Sequence, residues 1–227
     1  MNFDLTEEQL MIRQAARDFA QNDCKPGVIE RDTHATFPAD LVKKMADLGF
    51  LGMMVDPAYG GGGMDALSYA IAIEEISKVD ASCSVIMSVN NSLVNYGLNE
   101  FGTPEQKKKY LPKLTSGEFI GAWGLTEPNT GSDAMRMKCT AVKDGDHWVI
   151  NGAKNWITHG LSGDVAVVLV RTGELLDSNG ITAFIVEKGT PGFSAVKIKD
   201  KLGVRASETA ELIFDNVRLH ESQVIGE

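Results

Sequence analysis

Cysteine is scarce in this chain of 227 residues: there are three, Cys24, Cys83 and Cys139, far apart in sequence and odd in number. With no CxxC spacing and no Cys/His cluster, neither a disulfide framework nor a zinc site is expected. Buried or surface thiols in a reducing compartment are. The four histidines, His34, His147, His159 and His220, have no metal-ligand spacing and no evident nucleophile nearby. No metal site is expected; surface or turn positions are, and His159 draws notice only because it follows Thr158. Positive charge is also short, with 22 Lys and Arg against 31 Asp and Glu, a formal net charge of −9. That argues against a nucleic-acid partner, which needs a basic face. It leaves room for an anionic ligand, because helix N-termini and local donors can hold phosphates on an acidic protein. No apolar run reaches the roughly 18 residues of a membrane span. The opening MNFDLTEEQL is too acidic and polar for a secretory or transit signal. A cytoplasmic location is the default expectation.

What remains is an ordinary globular composition, 43% hydrophobic and 23% charged, on a chain long enough for a sizeable core in one domain or two. The first half reads as helix. Thr6 opens a capping box with Gln9, and Ile12, Ala15, Ala16, Phe19 and Ala20 follow at helical spacing. Residues 38–48 predict a second helix with Gly49 as its left-handed stop. Residues 66–76 and 83–98 are apolar on more than one side, as helices inside a bundle are. Thr103-Pro104-Glu105-Gln106 combines an N-cap, a proline at the first helical position and a capping-box partner. That helix is expected to end near Thr115, with Lys107, Lys108 and Lys109 on its wet face. Past Ser116-Gly117 the pattern turns to short strand-like runs. Residues 139–143 and 147–150 flank Asp144-Gly145 as a hairpin; Asn151-Gly152 marks a further turn. Residues 165–170, 181–186, 195–199 and 212–214 continue the series, Asn216 breaks it, and 217–220 read as a final strand. The expected fold class is α+β: an N-terminal all-α helical bundle domain, 1–117, then a β-barrel or sandwich-like domain, 118–227.

Tyr59-Gly60-Gly61-Gly62-Gly63 invites a phosphate-loop reading. It fails, because no strand precedes it, no GK[ST] follows it and the spacing is not GxGxxG; a flexible inter-helix turn is expected. The segments GAWGLTEPNTGSD, from Gly121, and Lys154-Asn155-Trp156-Ile157-Thr158 carry more. The first is a polar loop of hydroxyls and backbone donors. Gly131 permits close approach of a ligand to the backbone, and Pro128 stiffens the turn. In an alternating strand Trp156 and Thr158 point to one face, as do Trp123 and Leu125. An aromatic surface beside hydroxyls suits an isoalloxazine ring, which needs apolar contact on its faces and hydrogen bonds at its heteroatom edge. Glu127 and Asp133 read as loop caps.

These segments, together with LTEEQ at Thr6, PAYGGGGMD ending at Asp65, FGTPEQKKKYLPKLTSGE from Phe101, GITAFIVEKGTPGF from Gly180 and KLGVRASET from Lys201, resemble the acyl-CoA dehydrogenases in order and spacing across nearly the whole length. The flavour is that of short- or branched-chain members. The resemblance implies FAD as cofactor, α,β-dehydrogenation of an acyl-CoA, electrons leaving to an electron-transfer flavoprotein, and a homo-oligomer. It implies cofactor contacts at Trp123, Leu125, Thr126, Gly131, Ser132, Trp156, Ile157 and Thr158. Thr126 would bond the pyrimidine edge, Thr158 would lie near N5, and Ser132 would sit at the phosphate and acyl-CoA side. Residues 201–209 would pack behind the site. Thr130 and Ala206 depart from the small residue and the glycine usual at those places. Family members continue into a C-terminal helical domain that holds the catalytic glutamate. No catalytic base is found in this chain, Glu127 and Glu208 are not nominated, and the piece is expected to be inactive alone. The alternatives are an acyl-CoA oxidase or flavin monooxygenase on the same scaffold, and a non-catalytic half-length protein that binds acyl-CoA, flavin or a partner chain.

Overall fold

The computed structural model describes residues 4–177 and 179–226. Seven helices come first: α1 (Glu7–Phe19), α2 (Val28–His34), α3 (Ala39–Asp47), α4 (Ala66–Ser77), α5 (Ala81–Ser88), α6 (Tyr96–Phe101) and α7 (Pro104–Thr115). Both capping boxes form. Thr6 and Gln9 exchange side-chain and backbone bonds at α1, and Thr103 and Gln106 do so at α7. The amide of Gln106 also donates to the carbonyls of Ser222 and Val224, tying the end of the described chain to α7. α1 buries Ile12, Ala16 and Phe19 and is pinned to α4 by Arg17, whose guanidinium grips the Glu75 carboxylate at 3.0 and 3.1 Å. That grip, strengthened by Lys78, holds the Glu75 carboxyl at about 2, well below its ordinary range.

Two stretches wind as π-helix, Ala20–Cys24 after α1 and Val89–Asn95 between α5 and α6. The second buries three asparagines. Asn90 donates to the carbonyls of Leu51 and Leu114 and accepts from the Gly121 amide; Asn91 bridges Phe50, Met53 and Met87; Asn95 donates to Leu51. Each satisfies backbone groups that no regular ladder reaches.

The second half is one seven-stranded, curled sheet: β1 (Gly121–Gly124), β2 (Thr140–Asp144), β3 (His147–Thr158), β4 (Val165–Arg171), β5 (Ile181–Glu187), β6 (Phe193–Lys197) and β7 (Thr209–His220). The path runs β1-β4-β2-β3-β7-β6, with β5 on the other edge of β4. β1 pairs with β4 in parallel, and β3 pairs with β7 along most of their length. One apolar core lies within the sheet around Phe184, Val168 and Leu212. Another joins it to the helices through Val94, Leu98, Leu111 and Val167.

The sequence reading needs four corrections here. Helix α2 was not foreseen, and none of its residues is buried, so no periodic apolar face announced it. Asn151-Gly152 is no turn, and Asn216 does not end a strand. β3 runs through the first and β7 through the second, because the ladder shifts register between Ile150 and Gly152. Asn216 sits at φ 52° as the extra residue of a β-bulge, its amide bonded to the Asn151 side chain at 2.9 Å. Gly152, at φ 139°, lets the chain pass Cys139, whose Cα would lie 2.7 Å from an added Cβ. His159 is neither surface nor turn-exposed. It is fully buried, its Nδ1 lies 2.8 Å from the Gly121 carbonyl, and its ring meets Phe37 edge-on. Burial lowers its pKa, so the ring is neutral. Finally, the Gly60–Gly63 turn is tied down: Gly62, Gly63 and Met64 donate to the carbonyls of Gly52, Val55 and Met53. The three cysteines are free and buried, and burial lifts the Cys139 thiol to about 11.

Candidate functional site

The polar segment leaves β1 at Gly124, so the pleat rule stops one residue short of Leu125. The chain then turns tightly, with the Glu127 and Thr130 backbones bonded to each other around Pro128-Asn129. The Thr130 hydroxyl adds a bond to the Asp133 carbonyl. Glu127 is buried and caps the loop as expected. Its two oxygens accept the amides of Lys138 (2.6 Å) and Cys139 (2.9 Å), closing the loop at its base. Opposite it is Lys154, wholly enclosed, whose ammonium donates to Glu127 at 2.8 Å and to the Leu125 carbonyl at 3.1 Å. The sequence reading had no role for Lys154; a lysine in a strand reads as a solvated side chain. Its apolar flanking pattern offers no other signal.

The second segment lies alongside the first, since the Asn155 amide donates to the Thr126 carbonyl at 2.7 Å. Here β3 slips register against β7 between Lys154 and Ile157. Trp156 sits in the left-handed region, φ 62°, rare for so bulky a residue. The Asn155 side chain accepts its amide at 2.9 Å and holds it there. Trp156 is 59% exposed, while Ile157 is buried in the sheet core and Thr158 half-buried. Exposure does not alternate through the bulge, where Lys154 is buried, Asn155 half-buried, Trp156 exposed and Ile157 buried again. The bulge thus turns an indole outward that a regular ladder would have placed by pleat alone.

Thr126 is half-buried and Ser132 exposed. The hydroxyls of Thr126, Ser132 and Thr158 have no hydrogen-bond partner among the described residues. Gly131 is equally unconstrained: an added Cβ would meet only the Thr126 methyl, at 3.8 Å. Neither its φ nor its neighbours require glycine, so the space above it is free for something outside the chain. Trp123 is placed elsewhere. Its ring points toward α6, where a Cβ on Gly97 would come within 3.2 Å of it. With Phe101, Val167 and Ile225 it lines a cavity of about 560 Å³ between the helices and the sheet. The loop of residues 201–209 is cross-tied to α2 through Arg205, which bonds Asp32, and it buries Glu208 against the Leu161 and Ser162 amides.

Comparison with known proteins decides the family. The description "Acyl-CoA dehydrogenase, N-terminal domain" matches residues 6–118, and "Acyl-CoA dehydrogenase, middle domain" matches residues 122–217. The chain belongs to the acyl-CoA dehydrogenase family. It is 48% identical over 226 residues to a short-chain specific acyl-CoA dehydrogenase of Clostridium acetobutylicum, covering all of this chain and 60% of that one. Among solved structures it is similar to butyryl-CoA dehydrogenase from Megasphaera elsdenii, with a TM-score of 0.93, 39% identity, and coverage of 100% of this chain and 60% of that one. It is also similar to a glutaryl-CoA dehydrogenase from Mycobacterium smegmatis in complex with FADH2, with a TM-score of 0.93, 40% identity, and coverage of 98% and 56%. The chain therefore spans less than two thirds of the length of these relatives. No helix among the described residues is long and apolar enough to cross a membrane, and no cluster of three or more potential metal ligands occurs among them. Within the family fold, the two segments singled out from sequence lie side by side, tied by the Asn155 amide and the Lys154 ammonium, with the left-handed Trp156 on the second of them.

Proposed function

We propose that this chain carries the flavin-binding part of an acyl-CoA dehydrogenase acting on a short or branched acyl-CoA, with FAD as cofactor and electron-transfer flavoprotein as acceptor. The observation that carries the reading is the joined surface of the two segments. It offers an exposed indole and three hydroxyls that the protein leaves unbonded, beside a glycine that its own packing does not require. Such groups fit an isoalloxazine with its polar edge. Thr126 and Thr158 would hold that edge, Ser132 the phosphate and acyl-CoA side, and Trp156 would cover a ring face. Leu125 and Ile157 would contribute through their backbones, as the Ile157 side chain is committed to the core. Trp123 would act from the helix–sheet cavity. FAD, when bound, supplies the acceptor for a hydride leaving the β carbon.

On this reading the protein groups near these segments position the ligand and exclude water, and the two nearby glutamates are already engaged. Glu127 accepts from two amides and an ammonium. Glu208 accepts from the amides of Leu161 and Ser162 and from the Ser162 hydroxyl. On this reading neither is nominated as the catalytic base. Exposed Leu93, Tyr96 and Phe101 on and beside α6 support self-association, since apolar patches seek cover. The test is the visible spectrum of the purified chain before and after FAD addition and desalting. A retained flavin band is expected; a chain that stays colourless would overturn flavin binding by this part.

A further inference from the structure

We infer that the buried Lys154–Glu127 pair is a positioning device that fixes the two proposed flavin segments relative to each other, an inference that rests on the flavin reading above. Glu127 directly follows Thr126, and Lys154 lies two residues before Trp156. The ammonium reaches the Leu125 carbonyl and the Glu127 carboxylate together, so it spans from β3 to the chain leaving β1. Glu127 in turn holds the amides of Lys138 and Cys139, so the same carboxylate closes the far end of the loop that carries Gly131 and Ser132. One residue along, the Asn155 amide on the Thr126 carbonyl adds a second tie between the segments.

Packing alone does not call for a charge here. The lysine side chain is 0% exposed, and burying an ammonium is costly unless it is paired and bonded. An apolar pair of similar volume commonly serves stability as well or better. What an ion pair adds is direction: an ammonium has three donors, and this one, rooted on β3, engages two acceptors on the chain leaving β1 and so sets the separation of the two segments. The sequence around the pair, LTEP and KNWIT, places the two charges beside the groups they orient rather than elsewhere in the sheet.

The experiment compares the full chain with K154M and with the double variant E127Q/K154M, which removes both charges. Three readouts are taken: thermal stability, amide hydrogen exchange by segment, and FAD affinity from flavin absorbance. K154M leaves a buried carboxylate without its cation and is expected to lose stability; the double variant is expected to regain most of it. In both, exchange is expected to rise together in residues 125–139 and 154–158, with α4 unchanged, and FAD affinity to fall roughly tenfold or more because misplaced groups are costly. A double variant that recovers stability and affinity together would show a purely structural pair and overturn the inference. So would unchanged exchange in either segment. If the unmodified chain itself binds no FAD, the flavin reading fails separately, and the exchange result alone decides the positioning role: joint loosening upholds it, and anything else overturns it.

Discussion

Two glycine-bearing loops, residues 59–63 and 126–132, look alike as strings and differ in what their glycines are for. In the first the protein consumes them. A Cβ on Gly61 would stand 2.1 Å from the Val55 carbonyl, Gly60 and Gly63 have φ of 81° and 59°, and the amides of Gly62, Gly63 and the following Met64 bond back onto residues 52–55. In the second, Gly131 meets nothing closer than 3.8 Å, and the Thr126 and Ser132 hydroxyls have no partner among the described residues. The first loop is closed by its own packing. The second is anchored at its base by Glu127 and Lys154, and around Gly131 its own packing leaves open space. A glycine is informative about binding only when the surrounding protein gives no reason for it.

The strongest way to break this contrast is to cut the anchor. K154M strands a buried carboxylate and should cost about 3–5 kcal/mol of stability, read from urea or thermal unfolding. Filling the closed loop comes next. Gly61→Ala forces a methyl into the Val55 carbonyl and should cost about 1–3 kcal/mol as overpacking, with no effect on flavin affinity beyond that of lost stability. Filling the open loop should do the reverse. Gly131→Ala should leave stability within about 0.5 kcal/mol while weakening FAD retention several-fold, measured by the flavin absorbance kept after desalting. Equal stability losses at the two glycines would erase the distinction.

The smallest effect comes from a second carboxylate–cation pair that lacks such closure. Glu75 is held by Arg17, itself about half exposed, and has its folded pKa lowered to about 2 from 4.5. A depressed carboxyl stabilises the fold above its unfolded value, so this contribution is complete above about pH 4.5 and is lost as pH falls toward 2. Glu75→Gln should flatten the acid limb of stability in that window and leave neutral-pH flavin binding unchanged.

Much of the fold was legible because its signals are local. The capping boxes at Thr6 and Thr103 and the hairpin at Asp144-Gly145 need only a few adjacent residues, and the structure forms all three. Asn151-Gly152 and Asn216 misled for the opposite reason. They are turn residues used as bulges, and only the long-range pairing of β3 with β7 reveals which. The paired segments of the candidate site were visible through their hydroxyls, glycine and tryptophan. The left-handed backbone of Trp156 and the partnership of Lys154 with a residue 27 positions away were not, since neither leaves a periodic trace.

The asparagines on the π-helical stretch have a consequence for how the molecule comes apart. Asn90 binds Leu51 and Leu114 in the helical half and Gly121 on the first strand. Peeling the sheet from the helices would strand the Gly121 amide and the Asn90 side-chain oxygen, while the bonds to Leu51 and Leu114 stay within the helical half. With the apolar cluster shared by helices and sheet, this bond gives the two halves a common reason to melt together, and probes placed in each are expected to report one transition.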